Sequence, residues 1–152
     1  MIRRFVLAGA LALLVVTSGC GGGAPSTAAF ATRSEAGSAV PDWVPAGANN
    51  LKVQSESGSG AFWLRFRLPA VERSAVEAEL LRIPARQVAT LTFRAPKGVD
   101  WWFRGLVQIV PARETTVVAA DVYSGAGRAV PIRTFVAFDR ASDAVYAWSA
   151  GR

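Results

Sequence analysis

Apolar and polar residues alternate most strictly at Phe62-Trp-Leu-Arg-Phe-Arg-Leu68, where Phe62, Leu64, Phe66 and Leu68 share one face and Trp63, Arg65 and Arg67 the other. A period of two is that of a strand, since successive side chains point to opposite sides of a sheet. Leu51–Glu56 alternates in the same way and is joined to it by Ser57-Gly-Ser-Gly60, so the two runs predict a β-hairpin with the Phe62/Leu64/Phe66/Leu68 face in the core. After Pro69 the period lengthens: Val76, Leu80 and Ile83 fall on one helical face, and Pro84 ends the run. The helix starts at Pro69, or at Ser74, where Ser74-Ala-Val-Glu77 has the spacing of a capping box. The stretch 85–110 is the least regular; Ala89–Phe93 reads as a short strand, Pro96-Lys-Gly98 as a turn, and Trp101-Trp-Phe103 as a return to the core. Three β-rich runs follow, Thr115–Tyr123, Ala129–Phe138 and Ala144–Ser149, separated by the turn signals Ser124-Gly-Ala-Gly127 and Asp139–Asp143. The order β-β-α-β-β-β predicts an α+β fold, an antiparallel sheet of about five strands with one helix packed on a face. Such a sheet leaves its second face wet, with Arg65 and Arg67 pointing outward.

The amino-terminal forty residues carry a different pattern. Met1-Ile-Arg-Arg is a short basic start, and Phe5–Val16 is an unbroken apolar run of 12 residues. A helix crossing a bilayer needs roughly 20, so the run suits the apolar segment of a secretory signal instead. Val16-Thr-Ser-Gly-Cys20 follows directly and resembles the lipobox of bacterial lipoproteins, with Thr17 where leucine is the commoner residue. Small side chains fit the signal peptidase, and the Cys20 thiol receives the lipid. Residues 1–19 are thus expected to be a lipoprotein signal peptide, with Cys20 the acylated residue. Two or three acyl chains, at about 0.8 kcal/mol per buried methylene, make a stable anchor. Residues 21–40 are mostly Gly, Ala, Ser, Thr and Pro with one isolated aromatic, Phe30, and show no apolar period; 20–40 reads as a flexible tether and 41–152 as a single folded domain.

Pro41-Asp-Trp-Val-Pro45 brackets an aromatic between two prolines, an extended start with Trp43 packed down as a plug. With Gly47 and Ala48 it makes a P-x-W-x-P-x-x-A signature, and Asp139-Arg-Ala-Ser-Asp-Ala-Val-Tyr146 is close to D-R-x-T-G-x-V-Y, with Ser142 and Asp143 in place of the Thr-Gly turn. In these two features the chain resembles small uncharacterised envelope lipoproteins of bacteria. The resemblance covers about half the domain, rests on structural motifs, and implies no activity and no functional residues.

Composition narrows the chemistry. The chain has no His, and its single Cys is Cys20, so it lacks the usual general base, the commonest transition-metal ligand and any intrachain disulfide. No cofactor or metal is expected. Without Arg3 and Arg4 the chain keeps 15 basic and 11 acidic residues, a net of +4, almost all of the base being Arg. The arginines are spread along the chain in no run of four, against a nucleic-acid partner and in keeping with a compositional bias toward Arg, Ala, Gly and Val. Glu114 and Asp121 flank a strand, Asp121 being the more inward acid, and Asp139-x-x-x-Asp143 is explained by a hairpin turn without calcium. Trp63, Arg65 and Arg67 on one strand, with Tyr146 and Trp148 on one face of the last, form a candidate binding face for a glycan or protein by stacking and cation–π contact. The alternative is that these rings belong to the core. The expected function is a non-enzymatic, lipid-anchored binding domain on the extracytoplasmic side of a bacterial membrane, its partner an envelope protein or glycan. Two other readings are an inhibitor or accessory subunit of an envelope enzyme, and a carboxylate-dependent hydrolase with two acids facing across a cleft.

Overall fold

The alternating run at 62–68 becomes an interior strand of a seven-stranded sheet. The computed structural model describes residues 25–88, 92–102, 107–110, 114–117 and 120–149. Its strands are β1 (Ser26–Thr32), β2 (Asn49–Ser55), β3 (Phe62–Arg67), β4 (Leu80–Arg82), β5 (Thr92–Arg94), β6 (Val107–Val110), β7 (Glu114–Val117), β8 (Ala120–Gly125), β9 (Thr134–Asp139) and β10 (Ala144–Ser149). Its helices are α1 (Arg33–Ala36), α2 (Ala70–Ala78) and α3 (Ala85–Val88). The large sheet runs β1-β2-β3-β10-β9-β8-β4 and the small one β5-β7-β6, every pair antiparallel. The fold is therefore α+β, with more strands and helices than the sequence pattern predicts.

The hairpin of β2 and β3 forms as expected, and Gly58 and Gly60 in its turn take the positive φ that a side chain would resist. Register then places Val53, Leu64, Ala147, Val136 and Tyr123 in one row across five strands. With Leu51, Phe66, Phe138 and Val145 this face is buried under α2 and the 33–48 segment, which contributes Ala36, Val40, Val44 and Ala48. Arg33 fixes the path of that segment. Its guanidinium donates to Gly37 O (2.8 Å) and Val44 O (3.3 Å) and lies 3.6 Å from the Asp42 carboxylate. Trp43 packs down on this core as predicted, edge-to-face with Phe66 at 6.4 Å between centroids.

Four expectations are corrected. First, the flexible tether does not extend to residue 40: Ser26–Thr32 is a sheet strand, paired to β2 from Ser26↔Ser55 to Thr32↔Asn49, and Phe30 is half-buried against the core. The boundary expected at Pro41 falls inside ordered structure, and residues 20–24 of the expected tether lie outside the described residues. Second, α2 begins after Pro69, not at Ser74, and ends at Ala78, before the expected Pro84. Leu80 continues the helical spacing, but Leu80–Arg82 gains a partner strand in β8, pairing Leu80 with Gly125. Third, the run 115–123 splits between the two sheets, Glu114–Val117 pairing with β5 and Ala120 onward with β9. Fourth, the second face of the large sheet is not wet. Ala61, Trp63, Ala137, Val122, Tyr146 and Trp148 make a second core, covered by Ile83, Val88, Ala95, Val99, Trp101 and Trp102.

The expected turn at 96–98 forms, with Gly98 at φ 67. Trp102 returns to the core as predicted, whereas Phe103 and residues 89–91 of the expected strand lie outside the described residues. So does Cys20, with the whole expected signal segment. No helix among the described residues is long and apolar enough to cross a membrane.

Candidate functional site

Antiparallel register brings the five expected face residues together, Trp63 opposite Trp148 and Arg65 opposite Tyr146, with Arg67 opposite Ala144. It does not leave the rings accessible. Trp63 is 2% exposed, Trp148 1% and Tyr146 7%. Trp102 stands edge-on to Tyr146 (5.7 Å) and Trp148 (6.1 Å), and Phe135 stacks on Trp148 at 5.4 Å. Offset and edge-on ring pairs of this kind add about 0.5–1.5 kcal/mol each to the area they bury. Two side chains of the sheet tie the covering segment down through its backbone. Trp63 Nε1 donates to Arg94 O (2.7 Å), and the buried Gln54 amide donates to Lys97 O (2.8 Å) while accepting from Lys97 N (2.9 Å). Arg94 closes the edge, its guanidinium 5.3 Å above the Trp63 ring and paired with Glu56. Trp63, Tyr146 and Trp148 are thus core residues.

Arg65 and Arg67 retain contact with solvent. The Arg65 guanidinium lies 6.0 Å from the Tyr146 ring centre. Arg67 makes a forked contact with Asp143, at 2.8 and 2.9 Å. That hydrogen bond holds the Asp143 carboxyl below its ordinary range and the Arg67 guanidinium above its own. Asp139 closes the turn beside it, accepting from Ala141 N (2.8 Å) and Ser142 Oγ (2.6 Å), whereas the Asp143 carboxylate reaches across to Arg67 on β3. No group of three or more Asp, Glu, His or Cys among the described residues is placed to hold a metal ion.

Two further features assemble from residues distant in sequence. Asp121, on the core side of β8, accepts from Arg73 (3.4 Å), Arg82 (3.0 Å) and Arg140 (3.2 Å), while Arg73 also holds Glu77 at 2.8 Å and lies 4.7 Å over the Phe138 ring. Three cations on two carboxylates leave a local excess of positive charge. Tyr123 lies beneath them, and burial, followed by the Glu77 charge, pushes its phenol above its usual range. Sequence alone marked Asp121 as the more inward acid, and its side chain is 19% exposed; nothing in the spacing of residues 73, 82 and 140 pointed to their convergence.

The second feature is a cleft between α2 and the two loops that flank it. Trp43 and Pro45 form one wall, Ala75 and Val76 another, Ala129 and Val130 a third, with Glu72 and Glu79 also lining it, around a volume of about 180 Å³. The proline bracket that seats Trp43, the one-turn spacing of Glu72, Ala75 and Val76 on α2, and Glu79 at its C-cap build it. Glu72 also accepts from Gly47 N at 3.3 Å, which joins the loop to the helix. The Trp43 indole N–H is buried with no acceptor among the described residues. The walls are apolar and the charge is negative, in a chain of net positive charge.

No protein family, no curated protein and no solved structure matches this chain.

Proposed function

We propose that the chain is a bacterial lipoprotein, held to a membrane through acylated Cys20, whose folded part binds an envelope protein at the Trp43 cleft without catalysing a reaction on it. The leader pattern supports the anchor. Binding is supported by one observation, the cleft itself. Small-molecule sites occupy about 300–1,000 Å³, whereas one of about 180 Å³ accommodates a single large side chain. Apolar walls of Trp43, Pro45, Ala75, Val76 and Val130 suit an aliphatic or aromatic anchor residue, and Glu72 and Glu79 suit a basic neighbour on the partner. A glycan platform of exposed rings loses its basis with the burial of Trp63, Tyr146 and Trp148.

The test is site-specific photo-crosslinking in cells. A photoreactive residue at Ala75, in the cleft, is compared with one at Val71, on the same helix but 87% exposed and outside it. The expected result is a discrete protein adduct from position 75 that Glu79→Lys weakens, with none from position 71. Equal adducts from both positions, or none from 75, contradict the proposal.

A further inference from the structure

The expected anchor is much closer to the folded part than composition implied. Between Cys20 and the first residue of β1 stand only Gly21, Gly22, Gly23, Ala24 and Pro25. Five residues reach at most about 18 Å even when fully extended. The seven residues of β1, at about 3.4 Å each, span more than 20 Å. The end of the sheet at which β1 starts is therefore held near the lipid, and the opposite end is held away from it.

Register identifies what lies at that end. Ser26 pairs with Ser55 and Ser55 with Phe62, Ser149 Oγ accepts from Phe62 N, Ser149 pairs with Thr134, and Gly125 with Leu80. The row crosses the sheet, and between Gly125 and Thr134 it carries the β8–β9 loop, residues 126–133. Val130 anchors this loop in the core, and bonds from Gly127 N to Val130 O (3.0 Å) and Thr134 N to Pro131 O (2.9 Å) shape it. A Cβ on Gly125 would come 2.0 Å from Pro131 O, so the loop folds tightly back on its own strand. Ile132 is left 71% exposed, with Arg128 and Arg133 exposed on either side. Neither arginine has an ion-pair partner among the described residues, in contrast to Arg67, Arg73, Arg82 and Arg140 at or toward the opposite end.

We propose that this end of the sheet rests on an anionic phospholipid surface, with Ile132 seated among the headgroups and Arg128 and Arg133 against lipid phosphates. The inference rests on the anchor reading and adds an orientation to it. From β1 to β9 is four strand spacings, about 19 Å, so lipid at Cys20 and the loop at Ile132 would be two separated contacts that fix the tilt of the domain. An apolar side chain between two cations is the arrangement that interfacial membrane binding uses.

Because Cys20 is the only cysteine and acylation occupies its thiol, a new cysteine can be labelled alone. The lipidated full chain carrying Ile132→Cys, labelled with an environment-sensitive fluorophore, is reconstituted into vesicles of phosphatidylglycerol and phosphatidylethanolamine. Val71→Cys, 87% exposed near the opposite end, is the control. The expected result is a blue-shifted emission quenched by brominated lipid at position 132, with neither effect at 71, and loss of quenching in Arg128→Glu/Arg133→Glu or in neutral phosphatidylcholine vesicles. An acylated protein in which position 132 is as unquenched as position 71, or in which 71 is the quenched site, overturns the orientation alone. A chain with no fatty acid on Cys20 overturns the anchor reading and the orientation with it.

Discussion

Removing the Trp63 side chain tests whether the second face of the large sheet is a core. Trp63 is 2% exposed, donates its indole N–H to Arg94 O at 2.7 Å, and lies under the Arg94 guanidinium at 5.3 Å. Trp63→Ala therefore removes a buried aromatic, opens a cavity beside Trp148, and leaves a backbone carbonyl without its donor. Substitutions of that kind cost about 3–5 kcal/mol, a large share of the 5–15 kcal/mol typical of a domain. At about 3–5 °C per kcal/mol for a chain of this size, the melting temperature falls by about 10–20 °C. Trp63→Phe keeps most of the ring and loses the hydrogen bond, a cost of about 1–3 kcal/mol. Trp43→Phe is the matched comparison: its N–H has no acceptor among the described residues, so the change leaves no carbonyl orphaned and should cost less than Trp63→Phe. The assay is equilibrium urea denaturation of the mature chain followed by far-ultraviolet circular dichroism, since tryptophan fluorescence changes with the substitutions. A lower midpoint at unchanged slope reports lost packing, and a reduced slope reports that the covering segment has come off the sheet. A Trp63→Ala protein within about 0.5 kcal/mol of the parent, as expected for an exposed residue, would refute the second core.

Two further outcomes follow from the charged clusters. Asp121→Asn leaves Arg73, Arg82 and Arg140 facing one another with only Glu77 nearby, and should cost about 1–2 kcal/mol at low salt. Denaturation in about 1 M salt, where the screening length is about 3 Å, should close more than half of that gap, and a gap that does not shrink with salt would contradict the repulsion. Asp143 titrates below its ordinary range because of Arg67, so the unfolded chain takes up its proton first as pH falls. The stability this pair contributes is complete above the ordinary carboxylate value of about 3.9 and drains away as pH falls below it. Asp143→Asn should therefore lose less stability than the parent between about pH 6 and pH 3, and an equal loss would contradict the depressed carboxyl.

What could be read from the chain depended on whether a residue's partners lay nearby in sequence. The β2–β3 hairpin was legible because both strands alternate and a Gly-rich turn joins them. β1 was not, because Ser-Thr-Ala-Ala-Phe-Ala-Thr is an edge strand of small residues, mostly exposed, where no face is marked by size. Phe30 was its only signal. The end of α2 was misplaced because Leu80 satisfies both the helical period and the sheet row it joins. The covered second face did have a signature: β9 and β10, Thr-Phe-Val-Ala-Phe and Ala-Val-Tyr-Ala-Trp, are apolar at nearly every position, as strands buried on both sides are. Arg65 and Arg67 pulled the reading the other way, and both sit toward the end of β3 where the cover stops. At the site, Trp43 was legible through its prolines. The meeting of Arg73, Arg82 and Arg140 on Asp121 was not, because it is a product of tertiary packing alone.

The chemical state of Cys20 decides the proposed anchor most directly. Intact-mass and peptide mass spectrometry of the chain recovered from bacterial membranes should find a mature amino terminus at Cys20 carrying a thioether-linked diacylglyceryl group, and Cys20→Ala should abolish incorporation of labelled fatty acid. A mature chain that starts elsewhere, or that starts at Cys20 with a free thiol, would contradict the anchor.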